Sequence, residues 1–175
     1  MFILSEQRDK APMGYFEPYL NYLKDNQDRF PKSAYSLATS EWYFDSWVSG
    51  CPHDAWLEKI TISEPSSGKR SEERSVEINI ELLGAYHDGV ISLRYPRVFG
   101  YKVEGWSLWE GLSPSGGHHD WRFDEFRLND DGNLIHEIEW MGFRSNGRWI
   151  IEATDVEYNW RPFQEGILHT NRPSI

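Results

Sequence analysis

The sequence predicts an α+β fold, with N-terminal helices packed on a mostly antiparallel sheet of six to eight strands. Three observations carry that expectation. Apolar residues recur at helical spacing in the first forty residues, they alternate at strand spacing after His53, and Gly-containing turn dipeptides separate the alternating runs. At 175 residues the chain has the length of one domain. It divides into a flexible N-terminus (1–14), a helical part (15–52), a sheet part (53–160) and a tail (161–175).

Phe16, Tyr19, Leu20 and Leu23 stand three or four residues apart, so one apolar stripe lies on one face of a helix near 15–29. Pro31 stops that helix, because the residue before a proline avoids helical geometry. A second short helix is expected from Ser33, with Ala34, Leu37 and Ala38 on one side. The aromatic run Trp42, Tyr43, Phe44 and Trp47 then fits best as filling between helices and sheet. Residues 55–62 read as a first strand and 65–73 as a polar loop. Residues 74–86 read as a strand with Val76, Ile78, Ile80 and Leu82 on one face.

Asp88-Gly89 suits a two-residue type I′ turn, which places Leu82 opposite Tyr95. Asp131-Gly132 and Asn146-Gly147, read the same way, pair 121–128 with 135–142 and 135–143 with 150–158. Asp124, Glu139 and Thr154 then share one cross-strand row, beside Phe126, Glu137 and Val156. Neither face of this meander is wholly apolar, which requires a bulge or exposure on both sides. The segment 105–119, with Trp106 and Trp109, is long for a connection, and such loops are usually functional or mobile.

Charge narrows the function classes. The formal net charge is −10, and residues 118–165 supply eleven acids against five bases. A pI near 5.0 argues against a nucleic-acid binder, which needs a basic face. No run of about 18 apolar residues marks a membrane span. No signal-peptide pattern opens the chain, so a cytoplasmic location is expected. With Cys51 the one cysteine, there is no internal disulfide framework. GxSxG, HExxH and GxxxxGK[ST] motifs are absent, and no cofactor is expected.

Histidine stands beside acid in His53-Asp54, His87-Asp88, His119-Asp120 and His136-Glu137. Imidazole with carboxylate is a metal-ligand set and a general-base pair. Neighbours on a strand point to opposite faces, so such a pair converges only in a turn. His118, His119 and Asp120, in a Gly-rich loop, are the metal candidates. Asp124, Glu137 and Glu139 form a carboxylate cluster, but residues 103–175 lack the lysine that a magnesium nuclease site usually carries. Those carboxylates, with Glu77, Glu81, Glu152 and Glu157, fit an acidic partner-binding face better, with Trp106 and Trp109 as anchors.

The segments HDAWLEKITI (53–62), LLGAYHDGVISLRY (82–95), GHHDWRFDEFRL (117–128) and LIHEIEW (134–140) resemble small bacterial proteins of the immunity type. These are antitoxins of polymorphic or contact-dependent toxin systems. The resemblance covers roughly residues 15–160 and transfers no catalytic residue. It implies a cytoplasmic, non-enzymatic protein whose partner is a protein toxin or another basic protein, not nucleic acid or membrane. The alternative expectation is a small metal-dependent hydrolase using His, Asp and Glu residues of the 118–139 region. A third is a ligand-binding sheet lined by Trp and Tyr.

Overall fold

The computed structural model describes residues 2–4, 16–104, 118–141 and 147–164. Its helices are α1 (Phe16–Asp25) and α2 (Lys32–Ala38), followed by a 3-10 turn at Glu41–Phe44. Tyr19 and Leu23 form the buried stripe of α1. Pro31 stands immediately before α2, with a φ of −57° that suits helix initiation. No helix among the described residues is long and apolar enough to cross a membrane.

The strands are β1 (Trp56–Ser63), β2 (Ser66–Ser67), β3 (Glu73–Arg74), β4 (Val76–Leu83), β5 (Gly89–Lys102), β6 (Asp120–Leu128), β7 (Leu134–Met141), β8 (Gly147–Ala153) and β9 (Glu157–Pro162). Seven form one antiparallel sheet in the order β4-β1-β6-β7-β8-β5-β9, and β5 pairs with β4 as well. Six strands therefore close into a ring, while β9 continues past β8 along the same edge of β5. The long strand β5 bends where its register shifts between Tyr95 and Val98, opposite Ile78 and Val76. Pro96 sits within that irregularity, where no ladder N–H is required.

The ring has one weak joint. β1 and β6 share a single pair, Trp56 with Asp120. Backbone bonds from Asp54 N–H to the Trp121 carbonyl (2.8 Å) and from Trp121 N–H to the Ala55 carbonyl (3.0 Å) extend it. Helix α1 satisfies the next stretch of β6 edge. Phe126 N–H donates to the Tyr19 hydroxyl at 2.7 Å and Leu128 N–H to the Tyr22 hydroxyl at 2.9 Å. The Tyr19 hydroxyl donates in turn to the Phe126 carbonyl at 3.2 Å. Tyrosines three apart on a helix thus meet residues two apart on a strand, replacing ladder bonds that β1 does not make.

Three of the expected hairpin registers are corrected. Residues 84–88 form a five-residue loop in place of the Asp88-Gly89 turn, so Leu82 faces Ile91 rather than Tyr95. A shift of four keeps Ile78, Ile80 and Leu82 on the core face. The expected Asp131-Gly132 turn is a three-residue loop, Asp130–Gly132, closed by Asn129 N–H to the Asn133 carbonyl at 3.0 Å. Gly132 takes φ +84°, the left-handed position of such a loop. That one-residue difference moves Asp124 from opposite Glu139 to opposite Ile138, on the other face of the sheet. Asn146-Gly147 is not the turn either, because Gly147 lies in β8 opposite Trp140. The required bulge exists, between Trp121 and Phe123. Strand β7 is buried on both faces, rather than exposed on both.

Candidate functional site

Inside the ring lies a closed polar network. His136 is fully buried and stacks on Phe126, with ring centroids 4.0 Å apart. Its Nε2 is 3.0 Å from Asp124 Oδ2, and its Nδ1 is 2.5 Å from the Tyr95 hydroxyl. Asp124 also accepts from the Tyr43 hydroxyl at 2.8 Å and from Trp121 Nε1 at 2.9 Å. Burial holds the phenols of Tyr43 and Tyr95 well above their ordinary range, the Asp124 charge adding to it, so both remain O–H donors. One proton arrangement then satisfies every atom. In it Asp124 accepts from three donors, His136 donates from Nε2, and the Tyr95 hydroxyl donates to Nδ1.

The network has the members of a general-base relay but no access for a substrate. Asp124 is 3% exposed. The adjoining cavity, lined by Tyr43, Cys51, His53, Trp121 and Asp124 among others, holds about 20 Å³. That is room for one water. Cys51 is buried beside it, donating to the Tyr43 carbonyl at 3.0 Å, and burial pushes its thiol up to about 12.

Glu137 and Glu139 lie on the opposite face of β7, where an ion-paired layer neutralises them. Arg127 bonds Glu137, and its Nε is 2.7 Å from Glu125 Oε1. Arg148 reaches Glu137 at 2.9 Å and Glu139 at 3.4 Å, and Arg122 reaches Glu139 at 3.3 Å. Residues 2–4 cover this layer: Phe2 N–H and Leu4 N–H donate to Glu125 Oε2 at 2.8 and 3.2 Å. The expected acidic face of Asp124, Glu137 and Glu139 is therefore corrected. Asp124 points into the core, and both glutamates are nearly buried against arginines. Glu152 accepts from Asn129 and Asn133 at 2.8 and 2.7 Å, pinning the β6–β7 turn. Glu157 and Glu77 clamp Arg94 at 3.0 and 2.6 Å. Glu81 is exposed on β4. Trp106 and Trp109 lie outside the described residues.

Two of the four histidine–acid pairs, His53-Asp54 and His87-Asp88, lie in turns, His119-Asp120 enters β6, and His136-Glu137 lies within β7. Asp54, His87 and His119 have φ of 63°, 57° and 61°. Only in His53-Asp54 do the side chains meet, Nδ1 to Oδ1 at 3.1 Å. His118 packs on Trp140 and Trp149, at centroid distances of 5.6 and 5.1 Å. Burial, then His119, lowers its pKa. Among the described residues, no three His, Cys, Asp or Glu side chains are grouped to hold a metal ion.

Large apolar side chains stand open at several places, among them Leu20, Ile62, Phe99, Tyr101 and Met141, and three aromatics gather at one end. At the end of the sheet where β4 turns into β5, Trp47 is 85% exposed, Tyr86 50% and Trp56 49%. The two loops that carry Trp47 and Tyr86 and the first residue of β1, Trp56, are tied together. The Tyr86 hydroxyl donates to the Ser46 carbonyl at 3.0 Å, and the rings of Trp56 and His87 lie 4.6 Å apart. Trp160 fixes the loops from beneath: a Cβ on Gly89 would meet its ring at 2.4 Å, so only glycine fits there. The exposure of Trp47 was not legible in the sequence, where the run 42–47 reads as one filling segment. Trp42, Tyr43 and Phe44 do pack on the core. A roomier hollow of about 490 Å³ lies between α2 and β9 and is lined by Ser33, Ser36, Ser40, Trp42, Glu157 and Tyr158, with Lys32 and Leu37. No family model, no curated protein and no solved structure matches the chain.

Proposed function

We propose that this chain is a non-enzymatic binding protein, most concretely a cytoplasmic immunity protein that neutralises a toxin by covering it. The observation that carries the reading is the separation of chemistry from surface. The relay of Tyr95, His136 and Asp124 is sealed in the core, while three large aromatic side chains project from a single end. Exposed Trp and Tyr supply large contact area with few rotors, which suits the desolvated centre of an interface. A hydrolase on His118, His119 and Asp120 is less well supported, since His118 is engaged by two tryptophans and Asp120 sits in a strand pair with Met141.

The test is co-expression of the tagged chain with the product of the adjacent gene, scored by co-purification and by growth protection. A one-to-one complex with protected cells is the expected result. Absence of both complex and protection refutes the reading.

A further inference from the structure

We infer that the docking face is the end of the sheet where β4 turns into β5, and that its occupant is a cationic face of a protein partner. This rests on the binding-protein reading above and assigns that reading a surface. The segments 45–56 and 84–88, which form the loops of this end, carry Asp45, Asp54 and Asp88 and no lysine or arginine, while the adjoining end of β9 adds one cation, Arg161, paired with Val90. All three carboxylates are exposed, around Trp47, Trp56 and Tyr86. Asp45 accepts from Trp47 N–H at 3.0 Å, so one carboxylate is held beside the most exposed ring.

The pairing of ring and carboxylate selects the occupant. Arg or Lys stacks on an aromatic face through its positive charge and bonds a carboxylate with its N–H groups. The competing occupants fit less well. A second copy packed symmetrically would set these three acids against their own counterparts, on a chain of net charge −10. An anionic lipid surface would meet the same repulsion.

Two variants leave the fold intact. Trp47→Ala removes a ring that is 85% exposed. Asp54→Asn with Asp88→Asn removes two charges, and asparagine tolerates the left-handed φ of 63° at Asp54. The full chain is titrated with an acetylated Arg-Gly-Arg-Gly-Arg peptide and with its Glu counterpart, and the indole N–H resonances of all tryptophans are followed by NMR. The Arg peptide is expected to shift Trp47 and Trp56, the Glu peptide to shift neither, and either variant to weaken the effect on the order of tenfold. Shifts confined to other residues, equal response to both peptides, or a wild-type dimer that Trp47→Ala disperses in sedimentation would overturn the inference. A co-purified partner that binds both variants as tightly as wild type also overturns it, yet leaves the binding-protein reading standing. Absence of any partner refutes that reading instead, while the peptide titration still reports on the surface.

Discussion

Replacing Asp124 with alanine tests the sealed network most directly. The change leaves three buried donors without an acceptor: the Tyr43 hydroxyl at 2.8 Å, Trp121 Nε1 at 2.9 Å and His136 Nε2 at 3.0 Å. Each unsatisfied buried group costs about 1–3 kcal/mol. Members of one network do not add fully, and a water entering from the adjoining 20 Å³ cavity can serve one donor. A loss of about 4 kcal/mol follows, a large share of the roughly 5–15 kcal/mol that holds a domain folded. With a urea slope of about 2 kcal/mol/M, the midpoint falls by about 2 M. Tryptophan fluorescence during urea unfolding at pH 7 reads it. Asp124→Asn keeps one acceptor oxygen but turns an N–H toward a donor, so about half the loss is expected. A midpoint within about 0.5 M of wild type for the alanine variant, or an asparagine variant worse than alanine, would refute the proton arrangement.

Three further outcomes are expected. Tyr19→Phe strips the Phe126 amide and carbonyl of their partner, so stability falls by about 1–2 kcal/mol and the Phe126 amide loses hydrogen-exchange protection. Cys51, with its thiol pushed up to about 12, stays unreactive toward Ellman's reagent in the native state at pH 8 and reacts once urea unfolds the chain. Arg94, and then Asn79, hold the Glu77 carboxyl below its ordinary range. Its contribution is therefore full above about pH 4.3 and is lost as pH falls through the lower folded value. The stability gap between wild type and Glu77→Gln, measured by urea titration at several pH values, should close in that acid window.

Much of the fold was written in short-range patterns. The spacing of Tyr19 and Leu23 gave the buried side of α1, and alternation gave the inward face of β4. Such patterns survive errors in turn length when the error is even. The Asp88-Gly89 reading is displaced by four residues and still faces Ile78, Ile80 and Leu82 inward. The β6–β7 turn is off by one, an odd number, and so every side chain of one strand changes face relative to the other. The residues Asp130-Asp131-Gly132 fit a three-residue loop ending in a left-handed glycine as well as they fit a two-residue turn. Local chemistry does not choose between them. The network was illegible for a different reason. Asp124, His136, Tyr43 and Tyr95 come from four separate elements, and only the closure of the ring brings them together.

The same one-residue shift changes what the net charge means. Glu125, Glu137 and Glu139 meet Arg122, Arg127 and Arg148 in one layer, three charges of each sign, so this layer contributes nothing to the −10 of the chain. Reversing Glu137 and Glu139 to lysine would put five cations beside a single carboxylate that is fully buried. Removing the partner of a buried charge is strongly destabilising. A loss of partner binding in that variant would therefore report unfolding, not recognition. The loop carboxylates behave differently, because Asp45, Asp54 and Asp88 are exposed and neutralising them leaves no buried charge unpaired. Steering by exposed charge weakens as salt rises, since the screening length falls to about 8 Å near physiological ionic strength. Association through the aromatic end should accordingly slow with added salt in the wild type and lose that sensitivity in Asp54→Asn/Asp88→Asn, while the ion-paired layer behaves alike in both.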